Sequence, residues 1–249
     1  VWAPSDEESL ENYRDLSKHL AARASLLDPQ NRWVQRSTGR WGDAHLYHGW
    51  YGGSIWDYAR MTENLVTELG ATALPHKESL DKFLGGKWPV TEHSEDWKYH
   101  RLQIGEAAAA WGDLSGSQSP EQLIARSQDY AARLFQIAIE RTRRRKAEGA
   151  GGIFHFFAID FWPSVTMAAI DYYRKPTKVW TVVGRSFAPI LASVEYDRAV
   201  WKTGEILKLP LWTVNDTHHP APAAEIFWRI QDRSGIAVSN GKTSAAAIP

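Results

Sequence analysis

The sequence predicts an α/β fold with parallel strands, followed by a smaller all-β domain. Helix-like and strand-like patterns alternate along the first third of the chain, which is typical of a parallel sheet covered by helices. One strand-like run, residues 153–159, is almost wholly apolar, as expected for a strand buried on both faces. After Pro189 the pattern changes to short strands separated by Gly, Asn, Asp and Pro turns. We therefore predict domains at residues 1–188 and 189–249.

The composition excludes several classes of protein. The 249 residues carry 29 acidic and 29 basic side chains, so the net charge gives no electrostatic signal for nucleic acid or an anionic membrane. No run approaches the roughly 18 consecutive apolar residues that cross a bilayer. The sequence has no cysteine, which excludes disulfides, thiol catalysis and zinc–thiolate sites. The 13 Trp residues are far above the usual level, and Trp rings serve cores as well as the apolar faces of ligands such as sugars.

The first predicted helix begins at a capping box formed by Ser5 and Glu8 and runs to about Leu27. Its apolar residues recur at spacings of three and four, which gives the helix one apolar face. An Asp-Pro pair ends the helix, and residues 32–37 form a short predicted strand.

A second short strand and its loop follow at residues 41–53 and are crowded with aromatic and imidazole groups. Residues 55–63 are a predicted helix, residues 64–69 a strand and residues 75–84 another helix. Residues 86–118 are irregular and rich in Trp, and a long loop region of this kind over the mouth of a barrel is often functional.

A long helix is predicted to open at Ser119, with Pro120 in its first turn and Gln122 in the capping-box position. It runs to about Glu148. The basic run near its end, residues 141–146, is interpreted as a solvated helix terminus, where cations suit the helix dipole.

The last part of the first domain contains one more predicted helix, at residues 176–185. Three strand-like segments follow, at residues 190–196, 205–214 and 224–230, and their alternation is that of half-buried antiparallel strands. A sandwich needs roughly seven strands, so we expect this β domain to be incomplete.

The strand that ends at Glu68 carries the main candidate for chemistry. Its carboxylate is followed at once by Gly70 and, after a short loop, by Pro75. A strand that ends on an acid and breaks into such a loop is typical of the catalytic face of a parallel α/β barrel. The alternative from the pattern alone is a solvated glutamate at the end of a strand.

Several segments, in this order along the chain, resemble glycoside hydrolase family 2, with the β-mannosidase and exo-β-glucosaminidase branch the most similar. The matching segments cover about nine-tenths of the chain. They are Leu26-Leu27-Asp28-Pro29, Asp43-Ala44-His45 with Trp50, Thr67-Glu68-Leu69-Gly70 with Pro75, Ser127-Gln128 with Arg141, Gly151-Gly152-Ile153, Asp160-Phe161-Trp162-Pro163, Asp171-Tyr172-Tyr173-Arg174 and Phe187-Ala188-Pro189.

The resemblance implies the C-terminal half of a (β/α)8 TIM barrel, strands five to eight, followed by part of an immunoglobulin-like β-sandwich. It also implies that Glu68 is the catalytic nucleophile. The family's acid/base glutamate follows an Asn on the fourth strand, and no Asn-Glu pair occurs in this sequence. We therefore expect that residue outside this chain. Val1 in place of an initiating Met likewise indicates an internal piece of a longer polypeptide.

Two departures from the family pattern lie on the eighth strand. Phe156 and Phe157 stand where the family usually has Trp and Gln, and Ile159 stands where it has Asn. The family's Trp commonly forms the floor of the sugar subsite, which makes Phe156 a candidate for substrate binding. These departures also support an alternative, a non-catalytic carbohydrate-binding relative with the same fold, whereas the intact segment around Glu68 argues against it.

Five further residues complete the predicted site. His45, Tyr47 and Trp50 would lie at the end of the neighbouring strand, as subsite walls or as donors to Glu68, or would pack as an ordinary barrel rim. Asp160 and Trp162 lie at the mouth of the eighth strand, where Asp160 binds a sugar hydroxyl or caps the next loop.

The function predicted from these residues is that of a retaining, exo-acting β-glycosidase that hydrolyses terminal β-linked sugars by double displacement. Such enzymes need two carboxylates, and no metal or cofactor is predicted. The expected partners are an oligosaccharide or glycoside substrate and the missing N-terminal half of the barrel, on the same polypeptide or on a second chain. No nucleic acid and no membrane are expected as partners.

Overall fold

A computed structural model describes residues 14–39, 42–114, 119–232 and 234–247. The predicted capping box at Ser5 and Glu8 lies outside the described residues. The chain divides into two compact units between Val183 and Gly184. Each unit is described by itself below.

The first unit contains three strands and six helices among the described residues, with two short 3-10 helices. The strands are β1 (Ala44–Leu46), β2 (Leu65–Leu69) and β3 (Gly152–His155). The helices are α1 (Arg14–Leu27), α2 (Lys77–Leu84), α3 (Glu95–Tyr99), α4 (Ile104–Trp111), α5 (Pro120–Arg144) and α6 (Lys178–Ser186), and the 3-10 helices are Ile55–Arg60 and Lys146–Glu148. The α6 helix extends past the division between the two units.

The three strands form one parallel sheet in the order β1-β2-β3. Each strand is reached from the previous one through helices, as expected for a parallel arrangement. The central strand, β2, therefore places Glu68, its second-to-last residue, between its two neighbours. Val66 and Leu69 of this strand are fully buried and belong to the main hydrophobic core.

The α5 helix supplies much of that core. Its N-terminus has the predicted capping box, because the Ser119 hydroxyl accepts from the Gln122 backbone N–H and the Gln122 side chain accepts from the Ser119 N–H. One face of the helix is buried along its length, including Leu134 and Phe135, which are fully buried. The local sequence signals thus determined both the start and the packed face of this helix.

The basic run at the end of α5 was predicted to be solvated, and this prediction is wrong. Arg143, Arg144 and Arg145 are all buried. The Arg145 guanidinium donates to the Thr62 and Glu63 carbonyl oxygens at 2.7 and 2.9 Å, just before β2 begins. Five fixed donors let one guanidinium satisfy several carbonyls at once, so burial of this cation is matched by hydrogen bonds.

Two further sequence expectations differ from the structure. Residues 32–37 were predicted to be a strand, but only Val34 among them takes part in an isolated bridge. Asp28 holds the start of this segment in a turn, because its carboxylate accepts from the Arg32 backbone N–H at 2.7 Å and from the guanidinium. The region 86–118 was predicted to be irregular, yet it contains α3 and α4. The spacing of Ala107 and Trp111, both buried, gives α4 its apolar face.

The strand β3 is shorter than predicted and is buried on one face only. Ile153 lies in the hydrophobic core, and the His155 ring packs against Phe135 of α5 at 4.1 Å between centroids. Phe154 and Phe156 alternate with these residues and are 54% and 37% exposed. The sheet face opposite α5 is therefore open among the described residues, whereas burial on both faces was expected.

The second unit contains four strands among its described residues, in two antiparallel pairs. The first pair is β4 (Ile190–Val194) with β5 (Leu211–Asn215), and the second is β6 (Ala224–Gln231) with β7 (Ala237–Ala245). The first three of these strands were predicted from the sequence, whereas β7 was not. The segment Ser239-Asn240-Gly241-Lys242 is polar, so it lacks the alternation that reveals a half-buried strand.

None of the described helices has both the length and the apolar character needed to cross a membrane.

Candidate active site

The strand β2 carries an extra residue beside Glu68. Against β1, Ala44 pairs with Val66 but His45 pairs with Glu68, so one residue of β2 has no counterpart. Against β3, the same shift falls between Val66 and Leu69. Both neighbours thus indicate a β-bulge at Thr67 and Glu68. Bulges are rare between parallel strands and are frequent next to active sites, where they redirect a side chain.

The bulge turns Glu68 toward two side chains of the neighbouring strand. The Tyr47 hydroxyl donates to Glu68 Oε2 at 2.5 Å, and His45 Nδ1 lies 3.3 Å from the same oxygen. The Glu68 side chain is 17% exposed, so it is reachable but largely surrounded by protein. An ionised carboxylate only accepts hydrogen bonds, and a donor at this distance fits the charged form that a nucleophile requires.

Phe156 lies at the end of β3, beside this group. Its backbone N–H donates to the Leu69 carbonyl at 3.0 Å, and its ring meets the Tyr47 ring edge-on at 6.4 Å. Gly70 allows the two strand ends to approach, because a Cβ there would lie 2.9 Å from the Phe156 carbonyl oxygen. The structure thus brings together Glu68, His45, Tyr47 and Phe156, four of the seven predicted site residues.

Trp50 has a different environment. It is 3% exposed, its Nε1 donates to Gln103 Oε1 at 2.7 Å, and its ring packs against Trp111 at 5.7 Å. These contacts correspond to the rim-packing alternative of the sequence analysis. A role of Trp50 as a subsite wall stays a prediction. Its burial favours the alternative, packing in the rim of the barrel.

Asp160 is buried beneath the loop that follows β3. Its Oδ1 accepts from the Thr166 hydroxyl at 2.6 Å and from the Ser164 hydroxyl at 3.1 Å. Burial raises the pKa of this carboxyl to about 6; the two hydroxyl donors oppose the rise, and the nearby Asp171 carboxylate adds to it. The hydrogen bonds match the loop-capping alternative for Asp160.

Trp162 stacks on His100, with ring centroids 5.5 Å apart, and meets Tyr99 edge-on at 5.7 Å. His100 is fixed in turn, because its Nδ1 lies 2.7 Å from the Pro163 carbonyl oxygen. The contacts described for Trp50, Asp160 and Trp162 are therefore with residues other than Glu68.

A cavity of about 990 Å³ opens beside α3 and α4, and its lining includes Lys98, Gln103, Ile104 and Leu114 but not Glu68. Gln103 also holds Trp50, so one residue connects this cavity to the rim of the sheet. The candidate site is therefore defined by the Glu68 carboxylate and its polar neighbours, and not by this cavity.

No group of three or more His, Cys, Asp or Glu side chains within the described ranges is arranged to hold a metal ion. Two residues near Glu68 were not predicted as functional candidates, although both lie in segments that resemble family 2. They are Asp43 and Thr67, whose side chains are hydrogen-bonded to each other. The signal in the sequence was the spacing of Val66 and Leu69, two core residues three positions apart in a strand, which does not fit regular alternation.

Comparison with known proteins gives relatives of one kind. No protein-family model matches the chain. β-Mannosidase B of Aspergillus niger is 23% identical over 195 residues, which are 72% of this chain and 23% of that protein. β-Mannosidase B of Emericella nidulans is 23% identical over 189 residues, or 70% of this chain and 22% of that protein.

Two solved structures show the same fold. The β-D-mannosidase of Dictyoglomus thermophilum superposes with a TM-score of 0.67 and 20% identity, over 94% of this chain and 30% of that one. The exo-chitosanase of Amycolatopsis orientalis gives 0.62 and 12%, over 98% and 30%. The chain therefore spans between about a quarter and a third of the length of these proteins. These similarities support the resemblance that the motifs indicated: the chain is similar in sequence to β-mannosidases and in fold to a β-D-mannosidase and an exo-chitosanase.

Proposed function

We propose that this chain forms the C-terminal half of the catalytic barrel of a retaining, exo-acting β-glycosidase, with Glu68 as its nucleophile. The observation that supports this most directly is the Glu68 carboxylate at the end of the central parallel strand, held by the Tyr47 hydroxyl at 2.5 Å. The C-terminal ends of barrel strands are where enzymes of this architecture carry their catalytic groups.

The proposed reaction has two displacements. In the first, a Glu68 oxygen forms a bond to the anomeric carbon as the bond to the glycosidic oxygen breaks, and an acid protonates that oxygen. In the second displacement, the residue that served as the acid now acts as a base and takes a proton from water. The water oxygen then displaces Glu68 from the anomeric carbon and releases the sugar. The acid/base must lie about 5 to 5.5 Å from the nucleophile. Because this sequence has no Asn-Glu pair, we propose that it comes from residues outside these 249.

The neighbours of Glu68 have distinct proposed roles. Tyr47 orients the carboxylate through its hydrogen bond and shifts its donation toward the sugar ring oxygen as Glu68 becomes an ester. Phe156, whose ring is 37% exposed, forms an apolar floor on which a sugar face stacks. His45, 3.3 Å from the same carboxylate oxygen, adds a second polar contact on the side of β1.

The proposed substrate class is a terminal β-mannoside. The relatives matched by sequence carry the name β-mannosidase, and the matched mannosidase structure has the higher identity, 20% against 12% for the exo-chitosanase. A β-linked glucosamine is the second candidate, on the strength of the exo-chitosanase match.

Replacing Glu68 by Gln tests the nucleophile. We expect Glu68→Gln in the complete protein to lower turnover of an aryl β-mannoside at least about a thousandfold, because an amide does not form the glycosyl ester. Glu63→Gln is the matched control, since Glu63 precedes the opposite end of the same strand. Near-normal turnover in Glu68→Gln would exclude Glu68 as the nucleophile.

The same preparation separates catalysis from mere sugar binding. A 2-deoxy-2-fluoro-β-mannosyl fluoride should add one sugar mass to the wild-type protein, and peptide mapping should place the adduct on Glu68. Calorimetric binding of mannose or of mannobiose without any adduct or turnover would instead identify the carbohydrate-binding relative. Phe156 and Ile159 are the departures that motivate this second candidate.

A further inference from the structure

We propose that Asp43 and Thr67 are positioning residues for Glu68, through a hydrogen bond that fixes the bulge in β2. The inference rests on the proposed role of Glu68 as nucleophile. The Thr67 hydroxyl donates to Asp43 Oδ2, so the residue directly before Glu68 is tied to the chain directly before β1.

The contacts show that Thr67 and Glu68 point to the same side of the sheet. Thr67 reaches Asp43, whereas Glu68 reaches His45 and Tyr47. Positions 43, 45 and 47 alternate along one extended segment and so share a face. In a regular strand, consecutive residues point to opposite faces. The bulge at Thr67 and Glu68 interrupts this alternation. Two consecutive residues of β2 can therefore contact side chains on the same face of the segment that contains β1.

The burial of the two residues that flank Thr67 and Glu68 agrees with this geometry. Val66 and Leu69 flank the pair, are three positions apart and are both fully buried in one hydrophobic cluster. Without the extra residue, regular alternation would send one of them to the face that Glu68 occupies. The bulge therefore keeps both apolar side chains in the core and both polar side chains on the open face.

Asp43 is itself held firmly enough to serve as an anchor. The Gly39 backbone N–H donates to Asp43 Oδ2 at 2.8 Å, and Gln35 Nε2 donates to Oδ1. Gln35 is only 3% exposed, and its Nε2 also donates to the Ser37 carbonyl at 2.7 Å. Donors from three separate positions thus fix one carboxylate.

The same loop restrains His45. Gly39 has a φ of +80°, and a Cβ there would lie 3.1 Å from the His45 ring. The chain before β1 therefore packs directly against His45, a contact of Glu68, and hydrogen-bonds Asp43, the anchor of Thr67.

Errors of about 1 Å in the placement of a reacting group cost on the order of a hundredfold in rate. Loss of this anchor should consequently slow the chemical step while leaving sugar binding nearly unchanged.

The test compares Thr67→Val, which removes the hydroxyl at constant volume, with Thr67→Ser, which keeps it. The readout is covalent labelling of the complete protein by 2-deoxy-2-fluoro-β-mannosyl fluoride, with the glucosyl analogue alongside. In this step a bond forms between a Glu68 oxygen and the anomeric carbon, and fluoride leaves with the electron pair of the C–F bond. The inactivation rate constant reports the chemistry, and the half-saturating probe concentration reports binding.

We expect Thr67→Val to lower the inactivation rate constant about ten- to a hundredfold, with half-saturation within about twofold of wild type. Thr67→Ser should restore most of the rate. Thr142→Val is the matched control, because the Thr142 hydroxyl likewise makes a hydrogen bond, to the Ala138 carbonyl at 3.0 Å, but lies inside α5, where no effect on labelling is expected.

Asp43→Asn supplies a second variant if Thr67→Val does not fold. Its amide keeps one acceptor oxygen where the carboxylate has two, so the donors from Gly39, Gln35 and Thr67 can no longer all be satisfied. The anchor is weakened, and a smaller selective fall in rate is expected. Equal labelling rates in wild type and in the folded variants would overturn the positioning role. So would equal losses in Thr67→Val and Thr67→Ser, since the hydroxyl would then not matter. A wild-type protein that neither probe labels would overturn the proposed function itself, and the positioning role with it.

Discussion

At the scale of single residues, the carboxylates of Glu68 in β2 and of Asp160 beyond β3 differ in what surrounds them. Glu68 receives the Tyr47 hydroxyl on a partly open face, whereas Asp160 is 2% exposed beneath a loop. Burial raises the pKa of Asp160 to about 6, above the ordinary value of 3.8. Removal from water penalises the charged form, and the Thr166 and Ser164 hydroxyls offset only part of that penalty.

The pKa of Asp160 makes stability depend on pH. Between about pH 4 and pH 6 the folded protein holds this proton and the unfolded chain releases it, so the free energy of unfolding falls as pH rises. Asp160→Asn does not titrate. We expect the stability of Asp160→Asn relative to wild type to rise by about 2 kcal/mol between pH 4 and pH 7. Urea unfolding at each pH measures the difference.

An exposed carboxylate provides the control for this experiment. Asp129→Asn should show no comparable slope, because the Asp129 side chain is 64% exposed. A difference between Asp160→Asn and wild type that stays constant across this pH range would contradict the assigned pKa. It would also show that burial does not raise the pKa of Asp160.

At the scale of elements, features encoded in a few consecutive residues were predicted correctly. Features that depend on contacts between distant segments were not. The capping box of α5 was predicted because its signal lies within four consecutive residues, Ser119 to Gln122. The bulge at Thr67 was not predicted, because it depends on the register with two strands that are distant in sequence. Residues 32–37 have a strand-like composition, but the turn held by Asp28 and Arg32 prevails over it. Propensity is a weak prior where tertiary contacts compete with it.

The same contrast applies to the candidate site. The residues Glu68, His45 and Tyr47 were predicted from one short motif on each of two adjacent parallel strands, and adjacent parallel strands bring such residues together. The burial of Arg145 was missed because its partners, the carbonyls before β2, are more than 80 positions away in sequence. A basic run at a helix end is usually solvated, and only the fold shows the exception.

The N-terminal cap of α5 is expected to contribute measurably to stability. Ser119→Ala should lower the free energy of unfolding by about 1 kcal/mol, because the Gln122 backbone N–H loses its acceptor. Ser119→Asp should match or exceed wild type, since aspartate keeps the acceptor and adds a favourable charge at the helix N-terminus. Chemical denaturation measures both. Equal stability of Ser119→Ala and wild type would show that this cap is energetically silent.

At the scale of the whole molecule, the open face of the sheet is the dominant feature. Phe154 and Phe156 alternate on β3 with the two residues that pack toward α5, and Phe161 just beyond is 76% exposed. The edges β1 and β3 each pair with β2 on one side only among the described residues. An apolar face beside unpaired strand edges is a surface for further strands. The proposed N-terminal barrel half fits this surface, because barrel closure pairs both edges and covers the inner face.

Solvent accessibility in the complete protein tests that arrangement. Hydroxyl-radical oxidation of Phe154 and Phe161 should be severalfold lower in the complete protein than in the isolated chain, because barrel closure would cover their rings. Trp180, on α6 and 51% exposed, is the internal reference and should react similarly in both. The isolated chain should also self-associate, since unpaired edges and exposed phenylalanines favour aggregation. Equal oxidation of Phe154 in both samples, with a monomeric isolated chain, would show that this face needs no covering half.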